Sequence, residues 1–235
     1  METKSSINVV FHRVLEDSKL ANSPYDLSQE FILSIVYGAL AIISNSGSQL
    51  KIFFDDAYAS HFAISLDLKS KHGLEIVLGI ITEDIGGDGF LTLEQITDLY
   101  RKGIIVASHS MTHAALGKYK DGRVMDSPTD GVYHSMPRGK ESVLTENEIM
   151  YQVVESLKYF EKRGIFVSDF IYPYGIYNDQ IKNIVSQAGY LKAYSCDFAI
   201  QKRESDTFSI PRLVIDDSLS TDEWVDKIGN LIRQY

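Results

Sequence analysis

Cysteine is nearly absent: Cys196 is the single one in 235 residues, which excludes an internal disulfide framework and a thiolate zinc cluster. Any metal must therefore sit on histidine and carboxylate. Basic side chains are in deficit, 23 Lys and Arg against 32 Asp and Glu for a formal net charge of -9. Such a surface repels phosphate backbones and anionic lipid, which argues against nucleic acid and bare membrane as partners. The apolar run Phe31 to Ile43 is shorter than a bilayer span and contains Ser34 and Tyr37, so it reads as a buried helix and no transmembrane segment is expected. The stretch Ile7 to Phe11 is too brief for a secretory h-region, no signal peptide is visible, and a cytoplasmic protein is expected. Internal repeats and low-complexity tracts are lacking, and composition carries no signal of oligomeric state.

What is present suits one globular domain over residues 1–235, with 44% hydrophobic and 23% charged residues. Short β-rich runs recur at Ile7–His12, Lys51–Phe54, Leu74–Ile80, Ile104–Ser108, Val167–Tyr172, Lys192–Ser195 and Phe208–Ile215. Several are apolar nearly throughout, as expected of strands covered on both faces. Capping-box spacings at Thr92 with Gln95, Thr145 with Glu148 and Ser220 with Glu223 each head an amphipathic stretch. Further helices are predicted over Ser28–Ser44, Tyr58–Lys71 and Asn178–Ala188. Strand and helix alternating in this way fit a βα barrel or an open doubly wound sheet, and the barrel is the favoured reading. Residues 117–142 form a long aperiodic insertion containing Pro128, Gly131, Pro137 and Gly139. It is either a functional loop or a surface insertion.

Two segments carry chemistry. Phe53-Phe54-Asp55-Asp56 puts adjacent carboxylates at the end of an apolar strand, where active sites of βα units gather. Adjacent carboxylates repel, and a bound cation would let one ligate while the other stays free to take a proton. Two strands later, His109-Ser110-Met111-Thr112-His113 sets two histidines at a spacing that can turn both imidazoles one way. Either motif alone reads equally as a helix cap, a turn or an exposed helix face. Their joint placement at strand ends points to a His-His-Asp metal site, with one aspartate of the pair as ligand and the other free to act as a base.

These residues resemble the polysaccharide deacetylase family, the carbohydrate esterases with the NodB homology domain, over almost the whole chain. Phe54-Asp55-Asp56 looks like the family's first motif. His109 to His113 matches its His-Ser/Thr-x-x-His motif, and Tyr172-Pro173-Tyr174-Gly175 looks like its third. The resemblance implies a distorted (β/α) barrel of about seven strands. It also implies a divalent metal on Asp56, His109 and His113 with Asp55 as the base, zinc first with Co2+ or Ni2+ as substitutes, and an acetylated sugar or glycan as substrate.

No histidine follows His134, so the family's usual C-terminal acid is missing. Val9 to Val14 instead resembles the opening strand of the circularly permuted branch that deacetylates poly-N-acetylglucosamine. His12 is there the expected acid, protonating the departing sugar nitrogen or oxygen; the alternative is a surface histidine. Ala57 stands where the family has glycine, a disadvantage where positive φ is needed. Ile171 stands where many members have an arginine contacting the base. Pro211-Arg212 resembles the Pro-Arg of the permuted branch, so Arg212 is either a partner of an active-site carboxylate or an ordinary exterior side chain.

The implied reaction is hydrolysis by a metal-activated water, with Asp55 as base, His12 as acid, and the backbone N–H of Tyr174 and the metal facing the oxyanion. Pro173, Tyr174, Gly175, Tyr133 and His134 are the expected substrate contacts, with His134 otherwise a solvated loop residue. The motifs specify a hydrolytic centre more than a sugar, so O-deacetylation or deacylation of a small amide stays open. So does a carbohydrate-binding protein with a degenerate site. Asp84 to Thr92 superficially resembles a calcium loop, but Gly86 and Gln95 replace needed ligands, and a Gly-rich turn into the Thr92-capped helix is expected. His61 and His72 read as exposed helix histidines without a role, and Cys196 as a buried small hydrophobe.

Overall fold

A computed structural model of the protein describes residues 5–16, 18–44, 46–116, 119–120, 123–124, 131–132, 143–202 and 204–234. Seven parallel strands form one sheet: β1 (Ser6–Phe11), β2 (Gln49–Phe54), β3 (Glu75–Ile80), β4 (Ile105–Ser108), β5 (Asp169–Ile171), β6 (Lys192–Tyr194) and β7 (Leu213–Val214). Their spatial order is β6-β5-β4-β3-β2-β1-β7. The last strand pairs with the first, Val9 opposite Leu213, while Ile210 just ahead of it bridges to Tyr194 on the far edge. One short segment thus joins both edges and curls the sheet into a distorted barrel, as the strand count and apolar runs predict.

Period-two alternation sorts the strand side chains into two cores. Val10, Phe53, Val77, Ala107, Ile171, Tyr194 and Ile210, one from each staggered segment, fill the interior. Their neighbours, such as Val9, Ile52, Phe54, Ile76, Leu78, Phe170 and Leu213, face outward into the layer covered by helices. That double burial is why the strands are apolar nearly throughout.

The helices are α1 (Gln29–Ile43), α2 (His61–His72), α3 (Leu93–Arg101), α4 (Glu146–Met150), α5 (Ser156–Glu161), α6 (Asp179–Ala188) and α7 (Thr221–Arg233). A π-helical turn, Tyr151–Glu155, links α4 to α5. Thr92, Thr145 and Ser220 each form the reciprocal capping box that their spacing predicts, and Ser28 and Asn178 cap α1 and α6. Helix α1 buries Ile32, Ile35, Val36 and Ala39 along one stripe, and each of the larger three contributes about 1.5–3 kcal/mol. Among the described residues no helix is long and apolar enough to cross a membrane.

Candidate active site

Three turns at the C-terminal ends of β2, β4 and β5 build the site, which is where parallel strands present loop residues to a ligand. In the first, Asp56 and Ala57 both adopt left-handed backbone, φ 73° and 61°. The disadvantage expected of alanine at a positive-φ position is therefore present. It is held by Leu91, whose amide donates to Ala57 O at 2.8 Å, and by the Ala59 amide on Gly89 O at 2.8 Å. The glycine-rich stretch 84–92 is thus a turn into α3, as expected, and it also buttresses the aspartate pair.

In the second turn Ser110 and His113 are left-handed, φ 67° and 59°, and in the third Tyr174 is, φ 58°. Every non-glycine residue with positive φ among the described residues lies in these three turns. Each such residue costs about 1–2 kcal/mol. Strain of this kind persists where surrounding contacts over-determine it, characteristically at functional sites.

The turns bring Asp56, His109 and His113 together so that one ligand atom of each lies within 4.8 Å of the others. His109 Nε2 and His113 Nε2 are 3.1 Å apart, and each is 3.7 Å from Asp56 Oδ1. That carboxylate oxygen is buried with no hydrogen-bond partner. His109 Nδ1 lies 2.9 Å from the carbonyl of Ile171. Donation to that carbonyl leaves Nε2 as a bare lone pair aimed inward, the orientation metal-ligating histidines usually have. Burial pushes both imidazoles down to about 4, so both are neutral at pH 7. Two imidazole nitrogens and an orphaned carboxylate oxygen, with the Asp56 and His113 side chains 14% and 18% accessible, fit a three-ligand zinc-type centre.

Asp55 is buried beside this triad, its Oδ2 3.9 Å from His109 Nε2. Burial alone would raise its carboxyl, but the Arg212 guanidinium, helped by His109 and His12, holds it well below the usual carboxylate range. Arg212 is itself fully buried, and Nη1 donates to both Asp55 oxygens at 3.0 Å while Nε donates to Ser195 O at 3.0 Å. Of the two readings open for Arg212, carboxylate partner or exterior side chain, the structure has the first. It enters from just ahead of β7 and crosses the interior over the Phe53 ring.

His12 follows β1 and rests on Tyr25, ring centroids 5.1 Å apart, and its charge is felt by both Asp55 and His113. Its Nδ1 is buried without a partner. The Tyr174 ring packs on His113 at 4.5 Å and stays 38% exposed, with Pro173 and Gly175 on either side of it in the chain. Tyr133 and His134 lie outside the described residues, as does most of 117–142.

Four residues behave differently from the sequence reading or escape it. His61, expected on an exposed face, is fully buried, and its Nε2 lies 2.8 Å from the His12 carbonyl, so α2 braces the acid candidate from beneath. Cys196 is partly accessible rather than a simple core hydrophobe, and Arg212 Nη2 approaches its sulfur at 3.8 Å. Gly79 sits under Asp55, and a Cβ there would meet Asp55 Oδ1 at 2.7 Å. Gln152 holds the second turn through Thr112. A glycine inside an apolar strand was the one available signal, since such glycines mark close approach.

A family model described as polysaccharide deacetylase matches residues 44–193. YxkH of Bacillus subtilis (strain 168), described as a polysaccharide deacetylase, is 20% identical over 169 residues, covering 72% of this chain. The chain spans about half, 52%, of the length of that relative. Among solved structures, the Streptococcus pyogenes deacetylase PplD, in complex with acetate, superposes with a TM-score of 0.71 at 15% identity, covering 95% of this chain and 98% of that one. A de-N-acetylase from Aggregatibacter actinomycetemcomitans gives 0.70 at 17% identity, covering 94% and 100%. At such identities the structures speak to the fold, but the family match takes in β2 to β5, the start of β6 and all three site turns, and the chain belongs to the polysaccharide deacetylase family.

Proposed function

We propose that this chain is a metal-dependent hydrolase that removes an acetyl group from an N-acetylated, or O-acetylated, sugar. The observation that carries the proposal is the convergence of Asp56, His109 and His113 beside a carboxylate kept ionised by a buried arginine. A zinc-like ion on those three ligands would supply Lewis acidity toward the acetyl carbonyl and the attacking water.

The protein's own groups then divide the proton work. Asp55, ionised at neutral pH, takes a proton as the water oxygen bonds to the acetyl carbon. Arg212 keeps that carboxylate in place through its two hydrogen bonds from Nη1. The Tyr174 backbone N–H, in its left-handed turn, is the assigned donor to the developing oxyanion. As the bond from the acetyl carbon to the sugar nitrogen or oxygen breaks, His12 supplies the proton to the departing atom, leaving acetate and a free amine or hydroxyl. The exposed Tyr174 ring offers a flat apolar face for a sugar.

The competing reading, a carbohydrate-binding protein with a degenerate site, is motivated by Ala57, Ile171 and the absent C-terminal histidine. Ala57 nevertheless takes the left-handed turn, and Arg212 holds Asp55 although position 171 is isoleucine. His12 lies close enough to act electrostatically on the base. These observations favour catalysis. The test is metal content together with acetate release from acetylated amino-sugar substrates, for wild type, Asp55→Asn and His12→Ala. About one ion per chain, with turnover lost in both variants while metal is retained, is the expected result. Metal without turnover on any acetylated sugar would favour the binding reading, and absence of metal would overturn the centre.

A further inference from the structure

The turn that carries both ligand histidines is strained at Ser110 and His113, so its shape depends on what holds it. One clamp is local: Ser110 Oγ accepts from the His113 amide at 2.9 Å. A second comes from the segment after β3, where the Thr82 and Glu83 amides donate to Ser110 O and Met111 O at 3.1 and 2.9 Å. The third comes from the π-helical turn between α4 and α5. Gln152 Oε1 accepts from the Thr112 amide at 3.0 Å, and Gln152 Nε2 donates to Thr112 Oγ1 at 3.0 Å.

Gln152 is a polar side chain only 5% exposed, and the Thr112 hydroxyl and amide it meets sit next to His113. A π-helical turn is rare and recurs at functional sites, because its extra residue re-aims the side chains around it. Here the irregular stretch is fastened a second time to the same strand end. Ser108 Oγ donates to Ser156 Oγ at 2.8 Å, and Val153 O accepts from Tyr190 OH at 3.1 Å. The helix therefore grips both the last residue of β4 and the turn beyond it.

We propose that Gln152 is a positioning residue for the His109–His113 pair, its carboxamide fixing Thr112 and thereby the left-handed backbone at His113 that turns this imidazole toward Asp56 and His109. The proposal rests on the reading of those three residues as metal ligands. Groups outside the ligand sphere that orient ligands typically change metal affinity tenfold to a hundredfold when removed.

The test measures Zn2+ dissociation constants by chelator competition, and Co2+ visible absorption, on the full chain carrying Gln152→Met, Gln152→Glu, Thr112→Val or Tyr190→Phe. Gln152→Met, close in volume but unable to pair with Thr112, should bind Zn2+ about 10–100-fold more weakly and alter the Co2+ spectrum. Gln152→Glu, whose carboxylate still accepts from the Thr112 amide, should recover most of the loss. Thr112→Val, which removes only the hydroxyl bond, should weaken binding about threefold to tenfold, and it tests the link even if Gln152→Met does not fold. Tyr190→Phe loosens the same helix without touching Thr112 and should lower thermal stability while leaving the affinity unchanged. Wild-type affinity in both Gln152→Met and Thr112→Val would overturn the proposal, as would an equal loss in Tyr190→Phe. A wild-type chain that binds no metal would overturn the metal centre itself, a separate and recognisable failure.

Discussion

Arg212 Nη1 stands 3.0 Å from both carboxylate oxygens of Asp55, although 157 positions separate the two residues in the chain. Both are buried, so each is the other's principal electrostatic compensation. Replacing Arg212 by Met should destabilise the fold by about 3–5 kcal/mol, because the carboxylate is left buried and unpaired. With the guanidinium gone, burial dominates and the Asp55 carboxyl rises. The ionised fraction then falls at a higher pH, and the acid limb of the pH–rate profile shifts upward. Denaturant titration and the pH profile check the two halves, and an unmoved acid limb would sink the pairing as a determinant of the base.

Gly79→Ala should destabilise the fold by about 1–3 kcal/mol through overpacking and damage the site. The new Cβ would fall 2.7 Å from Asp55 Oδ1 and 2.9 Å from Ile171 Cδ1, and Asp55 is tethered to Arg212, so the carboxylate must leave its position. A displacement near 1 Å at a reacting group costs on the order of 100-fold in rate. Steady-state acetate release should show kcat falling by that order, with the metal content unchanged.

Ala57→Gly should stabilise. At φ 61° the alanine Cβ is strained, and glycine relieves about 1–2 kcal/mol while adding unfolded-state entropy that takes back part of it. The net gain expected in urea melts is up to about 1 kcal/mol. A loss of stability would mean that the methyl's burial outweighs the strain.

His61 makes the fold acid-sensitive. Burial pushes its imidazole down to about 4 from an ordinary 6.5, so as pH falls the unfolded chain binds this proton first. The stability it contributes is fully present above about pH 6.5 and is lost as pH falls toward 4, about 3 kcal/mol in all. In His61→Gln, which keeps an N–H for the His12 carbonyl, that portion of the acid loss should disappear. Urea midpoints at pH 7 and 4.5 would show wild type losing more than the variant, and parallel losses would refute the burial account.

Metal removal should lower the unfolding temperature, because an ion bound only by the folded chain stabilises it by mass action, about 2.7 kcal/mol at a free concentration 100 times Kd. Asp56→Ala removes a proposed ligand and should abolish the increment that added Zn2+ produces, whereas Asp55→Asn should retain it. Thermal melts with and without chelator distinguish these cases.

The barrel and most of its helices are legible residue by residue. The apolar runs at Lys51–Phe54 and Leu74–Ile80 declare strands buried on both faces, and Thr92, Thr145 and Ser220 declare helix starts because a capping box closes within four residues. The aspartate pair and the two histidines are legible only together, since each motif alone could be a turn, a helix cap or an exposed helix face, whereas both at the same ends of two strands point to one site. His61 misled because a histidine on a helix is usually exposed, and only the tertiary structure shows that its ring is covered beside Phe54 and bonded to the His12 carbonyl.

The sequence by itself determined what is local in range: the alternation of strand and helix, the caps, and the residue types able to hold a metal and carry protons. The tertiary structure alone decided which distant groups meet. Pairing of β7 with β1 and the bridge from Ile210 to Tyr194 carry Arg212 into the interior opposite Asp55. The hydrogen bond between Ser156 of α5 and Ser108 of β4 fastens this helix at the strand end and brings Gln152 to Thr112. Hydrophobic periodicity is a property of neighbours in the chain, whereas an ion pair or a turn clamp depends on the order in which strands close the barrel, and no short stretch of residues encodes that order.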